Sequence, residues 1–593
     1  MENENKIIGN KVKIGIEIHQ RLDVGKLFCQ CKSKQESNLD LNFIVRELRP
    51  ITSETGEIDI AALMQADKGN VFSYFGNNAA CLVEYDEEPP HLVNEMALLC
   101  AINVAMQMNM KLPDAIIFMR KIIIDGSNTT GFQRTALIGI DGEINMQTYS
   151  IGIQTLSLEE ESAGIISNNV YRLDRLGIPL LEISTRPDIK DGKQAREVAE
   201  TIGLMLRTIP YTARGIGTIR QDLNVSIENG ARVELKGAQE LYMIDKWINH
   251  EIKRQSDLLK VIEELKRRGI DNEKVKKQAL VDITDLFLSH EKELAGFIRN
   301  ALANNEKVFA IKLMKHKGIL AMQAGNRRYG SELADYAKAA GIGGIIHNDE
   351  MLDKYGINEA LKREIKKALN MSEDDIFVIM VGKEEKINRA SIFLKNRASM
   401  LFIPEETRKV QEDGSSIFMR PLPGKARMYP ETDVPYIFLN DELKSKAKSI
   451  AQPFHEKIKK LEKMLNKEMA YKILKGRHLY LFEDLSKSID PLIVAITLED
   501  TITKIRREHG IEPKEHSIRR ALELYKNGKI TKKAIETAII MLEKGKDEDE
   551  IMKSIGKISG KDLKALFDKI KDKKQIIKSY GIRVDYEEVE SIY

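Results

Sequence analysis

The chain is 593 residues long, too long for one hydrophobic core, so roughly three to five domains are expected. Apolar residues make up 42% and charged residues 31%, which excludes a disordered or fibrous chain. The 93 basic and 90 acidic residues nearly cancel to +3, so any nucleic-acid site must come from local clustering rather than bulk charge.

Residues 12–19, VKIGIEIH, alternate as a strand and send Glu17 and His19 to the same face. Residues 92–110 predict a mostly buried helix. Strands are expected at 114–124 and 146–158, with glycine-rich connections at 125–131 and 139–142. A helix is predicted over 192–208, after the breaker pair Arg186-Pro187. Residues 218–227 alternate as a strand, Asn229-Gly230 marks a reversal, and Arg232–Lys236 returns as its partner. A three-residue loop there would set Ser226 opposite Glu234 and Asn224 opposite Lys236, with the polar residues on one face. A long charged helix over 239–268 carries the only tryptophan, Trp247. Residues 272–402 alternate helix and strand on their own account, as an inserted domain would. Residues 404–436 return to short strands, and from 438 onward the chain reads as almost wholly helical and lysine-rich.

Four cysteines, Cys29, Cys31, Cys81 and Cys100, are too few for a disulfide framework in so large a chain, so a reducing, cytoplasmic setting is expected. No run approaches the eighteen or so apolar residues needed to span a bilayer, and no membrane partner is expected. Cys29-Gln30-Cys31 begins a zinc-like pair, but no second pair follows nearby, so zinc is not expected. There is no GxxxxGK[ST] loop, and no Ser/His/Asp or Cys/His set suggests an amidase nucleophile. What stands out is polar residues at strand spacing: Glu17 and His19; Glu182 within PLLEIS; and Arg220, Asp222, Asn224 and Ser226 in series. Glu159, Glu160 and Glu161 add three adjacent carboxylates. Each has a bland reading as a solvated face, acidic loop or buried ion pair. Together they would suit a divalent cation such as Mg²⁺, which takes oxygen ligands.

The segments IGIEIHQRLDVGKLFCQC (15–31), CLVEYDEEPPH (81–91), IDGSNTTGFQRT (124–135), SLEEESAG (157–164), RLGIPLLEISTRPD (175–188), TIRQDLNVSIENGARVELKGAQE (218–240) and ARMYPETDVP (426–435) resemble the GatB/GatE family, the non-amidase subunits of tRNA-dependent amidotransferases. VFAIKL (308–313), NRRYGSELADYAK (326–338) and GIIHNDEMLDKYGI (344–357) look like the domain that bacterial aspartyl-tRNA synthetases carry, an insertion that marks the archaeal GatE branch.

The resemblance implies an α+β multidomain fold. A mixed or antiparallel cradle (1–270 and 403–437) would hold an inserted aspartyl-tRNA-synthetase-like α/β domain (271–402), followed by a helical domain (438–525) and a tail (526–593). The tail lacks the family's Leu-Met-Gly and Arg-Gly-Lys motifs and reads as shortened, with Lys557, Lys561, Lys564, Lys569, Lys571, Lys573 and Lys574 left to touch tRNA phosphates. The implied activity is ATP-dependent phosphorylation of the γ-carboxylate of glutamate on Glu-tRNA(Gln), then displacement of phosphate by ammonia. The implied metal ligands are Glu17, His19, Glu160 and Glu182, for Mg²⁺. Arg220 and Lys236 would neutralise ATP phosphates, Asp222, Asn224, Ser226 and Glu234 would position them, and Ser127, Gln133 and Arg134 would meet the glutamyl or tRNA end. Ammonia would come from a GatD-like asparaginase-type subunit, in a heterotetramer of two copies of each chain. The competing readings are a bacterial-type GatB working with a GatA-like amidase, a non-catalytic tRNA-binding adaptor, and an aspartyl-tRNA synthetase.

Overall fold

Polar residues alternating with Ile, Leu and Val build a ten-stranded sheet in the computed structural model, which describes residues 11–33, 38–39, 43–66, 69–146, 148–424 and 426–592. In chain order its strands are β1 (Lys13–Arg21), β2 (Phe118–Ile122), β3 (Phe132–Asn145), β4 (Ser150–Glu160), β5 (Pro179–Thr185), β6 (Ile219–Ser226), β7 (Val233–Lys236), β8 (Glu406–Val410), β9 (Ser416–Pro421) and β10 (Met428–Pro430). They lie in the order β9-β8-β7-β6-β1-β5-β4-β3-β2-β10. Every pair is antiparallel except β7 with β8, where the chain re-enters the sheet after its long excursion.

Strand β3 differs from expectation. Gly139 and Gly142, taken as marks of a connection, lie inside it because helix α1 (Glu95–Gln107) and the turn after it press against the sheet there. A Cβ on Gly142 would stand 2.4 Å from the Met108 carbonyl oxygen, and one on Gly139 would stand 3.0 Å from Met110 Cβ. Glycine in mid-strand here signals close approach rather than a turn. Helix α1 is buried along Ala97–Ala105 and is capped by Asn94, whose side chain accepts from the Ala97 amide.

The β6–β7 reversal also differs. Asn224 lies opposite Glu234 and Val225 opposite Val233, so the loop is longer than three residues and the pairing slips by two. An even slip keeps the polar side chains on one face, which is why the cluster survives although Ser226 loses Glu234 as its partner.

Between β7 and β8 the chain forms helix α2 (Ile244–Arg267) and a second, four-stranded antiparallel sheet ordered Leu280–Asp282, Lys307–Leu313, Ile376–Gly382, Ile346–His347. Alternate residues of its central strands feed two cores. Ile311, Leu313, Ile376 and Val378 join one, whereas Val308, Ala310, Phe377 and Ile379 join the other, so helices cover both faces. Helix α3 (Tyr329–Ala339) ties this part to the main sheet. Glu332 on α3 accepts from Arg254 on α2 at 2.7 Å and from Arg408 on β8 at 2.9 Å, and Glu406 takes a further bond from Arg408 at 2.6 Å. None of these four side chains is more than 1% exposed, so losing one partner would strand a buried charge at a cost of about 3–5 kcal/mol.

Two compact units result: one comprises residues up to Gly203 with Tyr211–Ile450, and the other Leu204–Pro210 with Ala451 onward. The second is helical. Its main core runs from Leu461 to Ile555, and Leu563, Ile576, Val584 and Val589 make a small separate one. Lys557, expected to face solvent and phosphate, is instead held by Asp585 and Glu588 at 2.5 Å each. No helix among the described residues is long and apolar enough to cross a membrane.

Candidate functional site

Strands β1, β4, β5, β6 and β7 put their polar faces on one side of the sheet, and there a cavity of about 800 Å³ opens. The strand register assembles it. His19 stands between Glu182 on β5 and Arg220 on β6, Glu17 stands opposite Asp222, and Glu182 stands opposite Ser157 on β4. Because side chains alternate along a strand, Ser157 and Glu159 share the face of Glu182 while Glu160 points through to the other side.

Two acid clusters result. In the first, ligand atoms of His19, Glu159 and Glu182 lie within 4.8 Å of one another. His19 Nε2 is 3.0 Å from Glu182 Oε2, and Lys121 Nζ donates to Glu159 at 2.7 Å and to Glu182 at 3.4 Å. Burial works against ionising Glu182, but Lys121 and His19 outweigh it and hold the carboxyl well below its ordinary value. The same contact with Glu182 overcomes burial at His19 and raises the imidazole.

In the second cluster, Glu17, Asp222 and Glu234 meet within the same limit. Lys236 Nζ donates to Asp222 and Glu234 at 2.8 Å each, and Thr407 Oγ1 donates to Glu234 at 2.8 Å. Glu17 accepts from the Asn224 amide, at 3.0 Å. Burial, reinforced by the charges of Glu182 and Glu234, pushes its carboxyl up to about 7. Arg220 donates to Glu161 at 2.7 Å, and Arg175 donates to the same oxygen at 2.9 Å.

Most of the predicted residues therefore converge: Glu17, His19, Glu182, Arg220, Asp222, Asn224, Glu234, Lys236, Ser127 and Gln133 all line the cavity. Three do not. Glu160 accepts from the Arg134 amide at 3.1 Å on the opposite face of the sheet, and strand parity gives its place to Glu159. Arg134 is turned the same way, donating to Glu431 at 2.7 Å. Ser226 lies at the end of β6, opposite Lys13 and outside the cavity. The sequence pattern did not single out Lys121, Thr135, Arg232, Arg420 and Arg427, which also line it. Arg232 was within reach, since it shares strand parity with Glu234 and Lys236; Arg420 and Arg427 arrive from segments whose approach only the fold reveals.

Five carboxylates (Glu17, Glu159, Glu182, Asp222 and Glu234) thus face two lysines and a histidine on the cavity floor. Two like charges 4.8 Å apart repel by about 3.5 kcal/mol at an effective dielectric of about 20, so the excess favours a bound cation. Oxygen donors with one imidazole suit a hard divalent ion. The arginines supply what phosphate oxygens need, and the volume is within the range of small-molecule sites.

A family model described as the GatB/GatE catalytic domain matches residues 12–445. The chain belongs to the GatB/GatE family. It is 44% identical over 546 residues to a protein of Methanocaldococcus jannaschii that is named as the GatE-type subunit of glutamyl-tRNA(Gln) amidotransferase, an alignment covering 88% of this chain and 85% of that one. Proteins of the same name from Pyrococcus furiosus and Sulfurisphaera tokodaii are 42% and 40% identical, covering 94% and 96% of this chain and 91% and 93% of theirs. The family's matched region contains the whole cavity.

Proposed function

We propose that this family member converts the glutamate of Glu-tRNA(Gln) to glutamine as a subunit of an ATP-dependent amidotransferase, the reading that its relatives' name favours over a bacterial GatB-type subunit or a passive adaptor. A γ-carboxylate is anionic and offers ammonia no leaving group, so it must first be activated, and transfer of the ATP γ-phosphoryl group does this. Such a transfer asks the protein for positioning and charge neutralisation more than covalent help. The convergence of His19, Glu159 and Glu182 beside Glu17, Asp222 and Glu234, under a ring of arginines, carries the reading.

Magnesium, when bound, would shield the phosphate charge and polarise the transferred group. His19, Glu182, Glu159 and Glu17 would hold it. Lys236 and Arg220, now engaged with carboxylates, would turn part of their charge to phosphate, with Arg232, Arg420 and Arg427 at the rim. Asp222, Asn224 and Glu234 would fix Lys236 and Glu17 in place. Ser127 and Gln133, at the other side of the hollow, would meet the glutamyl end. The inserted sheet and the helical unit would carry the tRNA, the former as an aspartyl-tRNA-synthetase-like domain. Ammonia would come from an asparaginase-type partner in a cytoplasmic assembly of two copies of each subunit.

The test is phosphate release from ATP by the purified chain with Mg²⁺, Glu-tRNA(Gln) and ammonium salt in place of a partner. Release that depends on the charged tRNA, with glutaminyl-tRNA as product and no glutamine hydrolysis, is expected. Unchanged ATP across all conditions would refute the assignment.

A further inference from the structure

The loop after β1 ends in Cys29 and Cys31, and the expectation against zinc rested on the absence of a second thiol pair nearby in sequence. The fold brings the missing ligands from a distant loop. The ligand atoms of Cys29, Cys31, Cys81 and Glu84 all lie within 4.8 Å of one another, with Cys29 Sγ 3.1 Å from Glu84 Oε1. Tetrahedral zinc, at about 2.3 Å from sulfur and about 2.1 Å from carboxylate oxygen, sets its ligand atoms about 3.5–3.8 Å apart. Small side-chain rotations suffice to reach that spacing.

Two further observations are independent of the spacing. Each loop folds so that a backbone amide two residues on donates to the preceding sulfur: the Cys31 amide reaches Cys29 Sγ at 3.4 Å, and the Val83 amide reaches Cys81 Sγ. Such donors favour thiolate over thiol and fix the direction of the sulfur lone pairs, as partners of metal-bound sulfur do. In addition, Lys26, with no exposed side-chain surface, places its ammonium 3.6 Å from Glu84 Oε2 and donates to the Leu173 carbonyl at 3.0 Å. Three thiolates and a carboxylate exceed the charge of a dication by two, and a buried ammonium offsets part of that excess.

We propose that Cys29, Cys31, Cys81 and Glu84 form a closed, structural zinc site. Three sulfurs select a borderline-soft ion over Mg²⁺ or Ca²⁺, and four protein ligands leave no position open for catalysis. The ion joins the Gly25–Cys31 loop, closed by the Lys26 amide on the Cys31 carbonyl at 3.0 Å, to the Cys81–Glu84 turn. The Glu84 carbonyl in turn accepts from Thr129 at 2.7 Å, so the ion braces the 127–131 loop that carries Ser127 to the cavity.

The test uses the full chain, purified without chelator and dialysed against metal-free buffer. Elemental analysis is expected to find one zinc per chain, and cobalt exchanged into the stripped protein should show thiolate-to-cobalt charge transfer and tetrahedral d–d absorption. Cys81→Ser and Glu84→Gln should lose the metal. Cys100→Ser, in helix α1, and His509→Ala, in an exposed Glu508/His509/Glu536 group, should keep it. Should the ligand variants fail to fold, the wild-type chain still decides: a chelator should make three more cysteines reactive toward a thiol reagent. A folded, zinc-free chain whose thiols react alike with and without chelator, a Cys31–Cys81 disulfide, or zinc retained by Cys81→Ser would each overturn the proposal.

Discussion

Replacing Glu17 by glutamine keeps the shape of the side chain and the bond from Asn224 Nδ2 but removes a buried charge from beside other carboxylates. The carboxyl rises from 4.5 to about 7 because it is buried and faces Glu182 and Glu234. The sign follows from proton binding. Below pH 4.5 the group is protonated whether the chain is folded or not, and it costs nothing. Between 4.5 and about 7 only the unfolded chain releases the proton freely, so the fold loses about 1.4 kcal/mol per pH unit, about 3 kcal/mol in all, and the loss is constant above that. Glu17→Gln is therefore expected to equal wild type near pH 4 and to exceed it by about 3 kcal/mol at about pH 8 without metal. Magnesium should reverse the order, because wild type gains a ligand that the variant lacks. Denaturant unfolding followed by the single tryptophan, Trp247, reads the first unit directly, since its indole donates to the Gln411 carbonyl at 2.9 Å. Parallel stability curves for the two proteins across this pH range, with no response to magnesium, would refute the reasoning.

His19→Ala and Glu182→Ala should each cut tRNA-dependent phosphate release from ATP by at least about 100-fold while leaving tRNA affinity nearly intact; the opposite pattern in a filter-binding and phosphate assay would mean the roles are reversed. Glu159→Gln should impair phosphate release, whereas Glu160→Gln should spare the rate and lower stability by about 1–3 kcal/mol, because its partner Arg134 is buried on the far face of the sheet. Equal kinetic damage from both would contradict the strand parity. Gly142→Ala should destabilise the first unit by about 1–3 kcal/mol, since its Cβ would meet the Met108 carbonyl oxygen, and a neutral effect on thermal unfolding would show that α1 yields more easily than its packing implies.

Much of the cavity was legible in the residues themselves, for a physical reason. Side-chain direction on a strand has period two, so Glu17 with His19, and Arg220 with Asp222 and Asn224, had to share a face once the strands existed. What periodicity does not carry is which strands become neighbours, and that decided the rest. Glu159 and Glu160 are equivalent in composition, and only the pairing of Ser157 with Glu182 separates them. The β6–β7 loop length depends on tertiary context as well as on Asn229-Gly230, so the register slipped by two while the face held. Gly139 and Gly142 were misread because glycine serves turns and close packing alike. Lys121 and Arg427 belong to segments without an unusual pattern, and the Cys81 and Glu84 pair is invisible to spacing rules because it lies on another loop.

Crystals of the chain grown with manganese and a non-hydrolysable ATP analogue would test whether this hollow holds metal-bound nucleotide. Anomalous peaks against His19, Glu182 and Glu159 or Glu17, with the triphosphate running toward Lys236 and Arg220, are predicted. Manganese bound only elsewhere, or nucleotide seated away from these five strands, would contradict the account.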